Sequence, residues 1–255
     1  MPSYVSHTIM AKDIYNKLND KNIDLNYLLT YSLGPDLSKY SKCRYKTHRL
    51  DIRETFMNNL FSYAQKNSLL NDKKIKGVLY GHIIHFSLDD TMHPLVRKMS
   101  KVCKNNKKNH SFLETYYDAH LVDEKYNIPL NKYDNKKLFK GKLNKDIKNM
   151  LNYAYEKTFD EKNISKYYIF NIFLYKKIKY LYLLFPLTLL KKVLGVEKFL
   201  KENKNIDLLN KNHKIKYYDV SGKPINYDFD KLYQKAIEKA IEDINKINEK
   251  YYDLW

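Results

Sequence analysis

Apolar residues in this chain recur mostly at spacings of three and four, the period of a helix with one buried face, and glycine and proline are sparse. The pattern predicts a mainly helical protein. A first helix is expected over about Ser6–Leu18, and Leu33-Gly34-Pro35-Asp36 reads as a turn with Gly34-Pro35 as a strong breaker. A second helix, Ile52–Lys66, places Phe56, Leu60, Tyr63 and Ala64 on one stripe. A third, about Ile75–Met92, is almost continuously apolar at Val78, Leu79, Ile83, Ile84, Phe86 and Leu88 and should be buried and central. Pro94 marks where that helix should end or reset. A fourth helix runs from near Asn109 to Val122, and residues 124–142 are polar, lysine-rich and loop-like. Helical patterns resume at about Asn144–Lys157, Tyr167–Phe199 with a break at Pro186, and Asp228–Tyr252. In the last, Leu232, Ala236, Ile237, Ala240, Ile241, Ile244 and Ile247 form one apolar face. No internal repeat or long linker divides the chain. The simplest reading is one all-α domain over residues 1–255, with the chemistry in 1–122 and packing helices in 123–255.

Composition narrows the class. A chain of 255 residues that is 44% hydrophobic and 15% aromatic can bury a core and is not disordered. Two cysteines sixty positions apart, Cys43 and Cys103, exclude a disulfide framework or a Cys-rich zinc finger and are expected as reduced thiols. No secretory signal is visible at Met1-Pro2-Ser3, and the longest apolar run, Tyr180–Leu190, is too short for a bilayer span of about 20 residues. The expected location is the cytoplasm or the inner face of its membrane. Six glycines without a GxGxxG or GxxxxGK spacing exclude a Gly-rich phosphate loop.

The formal charge of +18 invites a nucleic-acid or anionic-membrane reading. Only four of the 47 cations are arginine, however (Arg44, Arg49, Arg53, Arg97), and the abundance of Lys, Asn, Tyr and Ile is what an A+T-rich coding sequence produces without selection for binding. Tyr167–Leu190, dense in Tyr, Phe and Leu beside Lys176, Lys177 and Lys179, fits either a core-packing helix with a lysine edge or an interfacial membrane helix.

The histidines carry more information. Seven of eight fall in the first 120 residues. His85-x3-Asp89 sets two donors one turn apart on a helix, His93 follows after another turn, and His110-x3-Glu114 repeats the device with Asp118 one turn on. Imidazole and carboxylate at that spacing can converge on one zinc. A single such pair is commonly a hydrogen-bonded surface pair. Asp89 and His93, though, lie on a helix too apolar to face solvent, where unpaired charge is costly and a metal would satisfy it.

The order His7, Asp36 in Gly-Pro-Asp, His48, His85-x3-Asp89, His93, His110-x3-Glu114 resembles the ligand series of the bacterial zinc-dependent phospholipase C family, whose helical fold is shared with zinc-dependent single-strand nucleases. Tyr80-Gly-His-Ile-Ile-His-Phe-Ser-Leu-Asp, His93-Pro94 and Leu113-Glu-Thr-Tyr-Tyr-Asp fit as well, so the resemblance spans about residues 2–122. It implies two to three zinc ions. Asp36, His48 and His85 would hold one, Asp89 would bridge it to a second held by His7, and His93, His110 and Glu114 would hold the third. Glu114 leans to the phospholipase branch, since the nuclease branch carries Asp there. Family members that are secreted complete the second zinc with an N-terminal tryptophan, which this chain lacks; Pro2, exposed by removal of Met1, is expected as its substitute. A two-zinc enzyme, or a His7 site completed by water, is the alternative.

The implied activity is hydrolysis of phosphodiester bonds, most simply of a phospholipid, by a zinc-activated hydroxide positioned by the catalytic carboxylates Asp36 or Asp89. Bound water on zinc titrates at about pH 7, and the metals would do the work of arginines, of which this chain has few. His82 and Asp118 are expected as supporting groups behind the ligands, and His120 and His213 as ordinary. Peripheral membrane contact follows from a lipid substrate, and nucleic acid is the weaker partner. The competing functions are a nuclease or nucleotidase on the same cluster, and a non-catalytic helical protein with a structural metal site.

Overall fold

The computed structural model describes residues 4–104, 109–134, 138–184 and 195–252, except the side chains of residues 131 and 177–184. In chain order the helices are α1 Tyr4–Leu18, α2 Leu25–Tyr31, α3 Leu50–Lys66, α4 Lys73–Val102, α5 Asn109–Tyr126, α6 Lys145–Phe159, α7 Ser165–Leu184, α8 over residues 195–202, and α9 Phe229–Tyr251. Short 3-10 turns at Gly34–Ser38 and Leu130–Lys132 and a two-residue hairpin, β1 Tyr217–Tyr218 against β2 Pro224–Ile225, complete the described residues. The architecture is all-α, as the apolar spacing predicts. None of the described helices is long and apolar enough to cross a membrane.

Helix α4 is the axis of the fold. Its N-terminus is capped by Asp72, whose Oδ1 accepts from the amides of Lys74 and Ile75. Nineteen of its thirty residues are buried, which places it at the centre of the helices around it. The amphipathic α9, capped by Asp228, lays Leu232, Ala236, Ile237, Ala240 and Ile244 into the core against it. Contrary to expectation, α4 does not stop at Pro94. A proline in a helix interior forfeits one backbone bond and crowds the residue four back, at a cost of about 3 kcal/mol. Pro94, Leu95, Val96 and Met99 beyond it are all buried, and each large apolar side chain returns roughly 1.5–3 kcal/mol, so continuation wins. His93 therefore stays on the same helix as His85 and Asp89.

The short helix α2 has no counterpart in the sequence reading. Asp24 caps it, accepting from the amides of Asn26 and Tyr27. It lies unusually close to α4 because Gly77 and Gly81 stand one turn apart where the two backbones meet. A Cβ at Gly81 would lie 2.6 Å from the carbonyl carbon of Tyr31 and 2.8 Å from the amide nitrogen of Ser32, both backbone atoms that cannot swing aside. Gly81→Ala gains about 1 kcal/mol of helix propensity, yet overpacking against backbone costs more, about 1–3 kcal/mol. The expected net result is destabilisation by up to about 2 kcal/mol, seen as a Tm lower by up to roughly 8 °C. A melting temperature equal to or above that of the parent would refute this account of the contact.

Candidate metal centre

The same i, i+4 row of α4 that begins at Gly77 and Gly81 continues through His85, Asp89 and His93. Its first half admits α2; its second half projects donors. Close approach of α2 brings the Ser32 carbonyl to 3.2 Å from His85 Nδ1, which donates to it and leaves Nε2 with a free lone pair. Gly34 follows at φ +44°, a left-handed conformation suited to glycine, and a Cβ there would sit 2.9 Å from the His85 ring. The 3-10 turn after it delivers Asp36, which is buried. His48 arrives from the following segment. Thr47 Oγ1 donates to the Arg44 carbonyl (3.0 Å), so His48 Nδ1 donates to Thr47 Oγ1 (3.1 Å), which turns Nε2 towards the other donors.

These side chains converge. His48 Nε2 lies 3.1 Å from Asp36 Oδ1 and 3.4 Å from His85 Nε2. The two oxygens of Asp89 look different ways: Oδ2 towards His85 (3.3 Å) and His48 (3.7 Å), Oδ1 towards His7 (3.4 Å) and His93 (3.6 Å). On the far side Glu114 Oε1 faces His110 at 2.9 Å and His93 at 3.6 Å. Three groups of donors result, Asp36/His48/His85, His7/His85/Asp89 and His93/His110/Glu114. All eight candidate ligands are brought together. His7 and His85 lie deep, while His48, His93 and His110 form an open rim with side chains 33%, 22% and 45% exposed.

Three carboxylates are thus buried, and among the described residues no lysine or arginine lies within ion-pair distance of any of them. Burial alone would raise their pKa values, but the surrounding imidazoles outweigh it and hold Asp36, Asp89 and Glu114 below the usual carboxylate range. Conversely, burial would lower His93, but Asp89 and Glu114 push it up to about 9. His48 is raised against burial by Asp36. His85, wholly buried, is lowered because burial outweighs Asp89. The acids of the centre are thus offset by imidazoles alone, with no lysine or arginine ion-paired to them among the described residues. His7 Nδ1 and Asp36 Oδ2 are buried without a hydrogen-bond partner.

A model of the family described as zinc dependent phospholipase C matches residues 6–168, more than half of the chain and the whole of this centre. The chain belongs to that family. No curated protein and no solved structure matches it. The family is zinc-dependent, and the donors suit that ion: ligands about 2.0–2.2 Å from a tetrahedral zinc lie roughly 3.3–3.6 Å apart, close to the separations found here. The mix of imidazole and carboxylate donors agrees with the same ion. For this phospholipase C family member the centre is a set of His, Asp and Glu clusters able to bind metal in a hydrolase.

The remaining polar residues fall elsewhere. His82, three before His85, donates from Nδ1 to the Val78 carbonyl (2.9 Å) and accepts at Nε2 from the Tyr168 hydroxyl (3.2 Å), and burial pushes it down to about 4. Asp118 accepts from the amide and hydroxyl of Ser6, fixing the turn of α1 that carries His7. Asp90 pairs with Arg53 at 2.5 Å, so of two adjacent acids only Asp89 enters the centre. Pro2 lies outside the described residues. The sequence reading missed Ser32 and Thr47, whose oxygens orient ligands and which no spacing rule marks. It also missed Phe229 and Tyr233 of α9, beyond the matched region, which line the same cleft as His7, Asp89, His93 and Glu114. A fourth group, His120, Glu124 and Asp230, joins α5 to α9, with His120 Nε2 2.8 Å from Asp230. Cys43 and Cys103 are buried and unpaired.

Proposed function

We propose that this protein hydrolyses phosphodiester bonds, most simply those of a phospholipid, with two to three zinc ions held by the eight residues of the centre. In this reading Asp36, His48 and His85 hold one ion and His7 a second, Asp89 links the two, and His93, His110 and Glu114 hold a third. The observation that carries it is the split of Asp89, each oxygen turned to a different pair of imidazoles, as a bridging carboxylate requires. Zinc, when bound, supplies Lewis acidity to phosphate oxygens and a water acidic enough to react at neutral pH.

The chain's own groups do the rest. The Ser32 carbonyl and Thr47 hydroxyl keep His85 and His48 in the tautomer that presents Nε2. Asp36 Oδ2, unpartnered beside the imidazoles, is placed to hold the proton released by the attacking water. The exposed rim of His48, His93 and His110 gives a phosphate its approach, and the apolar neighbours Leu88, Met92 and Val96 exclude bulk water from the deeper ligands.

The test is metal content by mass spectrometry together with turnover of a phospholipid, a soluble chromogenic phosphodiester and a single-stranded oligonucleotide. Bound zinc with lipid cleavage is expected. Cleavage of the oligonucleotide alone would move the protein to the nuclease reading, and zinc without turnover would make the centre structural. A finer check is Thr47→Val, which keeps the shape and removes the hydroxyl that orients His48. Outer partners of this kind are worth about 10–100-fold in metal affinity, so zinc affinity in a chelator competition should fall by about that factor. An unchanged affinity would show that Thr47 does not orient a ligand.

A further inference from the structure

Over residues 165–176, helix α7 carries apolar side chains on two opposite faces. Tyr168, Asn171, Ile172 and Tyr175 point into the core, and Asn171 Nδ2 donates to the Leu37 carbonyl at 2.9 Å, tying the helix to the turn that carries Asp36. The other face, at spacings of three, four and seven, is Lys166, Ile169, Phe170 and Phe173. Ile169, Phe170 and Phe173 are 53%, 52% and 56% exposed. A helix face with about half of Ile169 and Phe170 open to solvent departs from the ordinary polar surface.

What borders it is positively charged. Tyr40 lies edge-on against Phe170 with ring centroids 5.6 Å apart, and it belongs to the segment that links Asp36 to His48. From Leu37 to His48 that segment holds Lys39, Lys42, Arg44 and Lys46 and no acid, while Arg49 after it is paired with Asp51. Its exposed aromatic rings carry cations over them, Lys39 over Tyr40 and Arg44 over Tyr45. An aliphatic and aromatic centre with a lysine and arginine border matches the boundary of an anionic bilayer, where apolar side chains enter between headgroups and cations meet the phosphates.

We propose that the Ile169/Phe170/Phe173 face and the Lys39–Lys46 segment form a docking surface for an anionic phospholipid bilayer, attached directly to the Asp36 and His48 arms of the metal centre. That docking serves catalysis rests on the phosphodiesterase reading; the docking itself does not. It also gives a use to part of the lysine excess.

The test uses the full zinc-loaded chain with vesicles of phosphatidylcholine, with and without phosphatidylserine, in a co-sedimentation assay. Two variants are compared, Ile169→Ser/Phe170→Ser and Lys42→Ala/Lys46→Ala, with circular dichroism and zinc content as controls for folding. Binding to the phosphatidylserine vesicles is expected, with a loss of about tenfold in each variant and unchanged turnover of a soluble phosphodiester. Wild-type protein that ignores both vesicles, or variants that bind like wild type, would overturn the proposal. So would dimerisation lost in Ile169→Ser/Phe170→Ser, which would make the face a subunit interface, or oligonucleotide binding lost in the lysine variant in place of vesicle binding. Vesicle binding without hydrolysis of any phosphodiester would leave this surface standing and remove the proposed activity. Hydrolysis of soluble diester without vesicle binding would do the reverse.

Discussion

Replacing Asp89 with alanine is expected to lower phosphodiester turnover by at least about a thousandfold and to remove more bound zinc than any other single substitution in the centre. The reason is its position. Its two oxygens face four imidazoles, of His7, His48, His85 and His93, whereas Glu114 faces only two. Losing it deprives two proposed ions of a charged ligand at once, and a thousandfold corresponds to only about 4 kcal/mol at the transition state, well within what metal ligation supplies. Helicity should be largely retained, because Asp89 contributes no apolar packing and the same helix turn keeps Leu88 and Met92 in the core. Turnover within about tenfold of the parent, with zinc content unchanged, would remove Asp89 from its assigned role.

The second large effect concerns metal removal. Zinc present at about a thousand times its dissociation constant stabilises a folded protein by about 4 kcal/mol per site, so stripping it with a chelator should lower Tm by roughly 10 °C or more. The pH dependence should also invert. In the metal-free protein His93 has a pKa of about 9, raised above its ordinary 6.5 against burial by Asp89 and Glu114. A raised folded-state value contributes stability that is complete below 6.5 and is lost as pH rises through 9. The metal-free protein should therefore lose stability across that window. The zinc-loaded protein needs neutral imidazoles, so protons compete with metal and its Tm should rise, not fall, between neutral and mildly alkaline pH. The depressed carboxylates act only at acid pH, since their contribution is lost as pH falls below the ordinary carboxylate range. Parallel melting curves for the two forms would show that His93 is not held by these acids or does not meet the metal.

Both predictions depend on residues whose recognition came by different routes. His85, Asp89 and His93 on one helix, and His110 and Glu114 on the next, are legible in sequence because a helix sets residues four apart on one side whatever the rest of the chain does. The buried character of α4 and the apolar face of α9 are legible for the same local reason. Not legible was that Pro94 is carried inside α4, since its penalty is local but the burial that outweighs it belongs to neighbours far along the chain. Nor was α2, seven residues with too few turns to show a period, although its carbonyl at Ser32 orients a ligand.

The sequence by itself determined that the protein is helical, which side chains could bind metal, and the family to which they point. Only the tertiary structure decided that His7, Asp36 and His48, from three separate segments, meet the α4 row, that His85 enters the centre while His82 is taken by Tyr168, and that Asp89 faces two groups while Asp90 turns to Arg53. The same holds for the outward apolar face of α7, where helical period alone cannot say which of two apolar faces is buried. Spacing along a helix fixes neighbours within about a turn; contacts between residues tens of positions apart are set by how the helices pack, and that packing here turns on two glycines that let α2 approach α4.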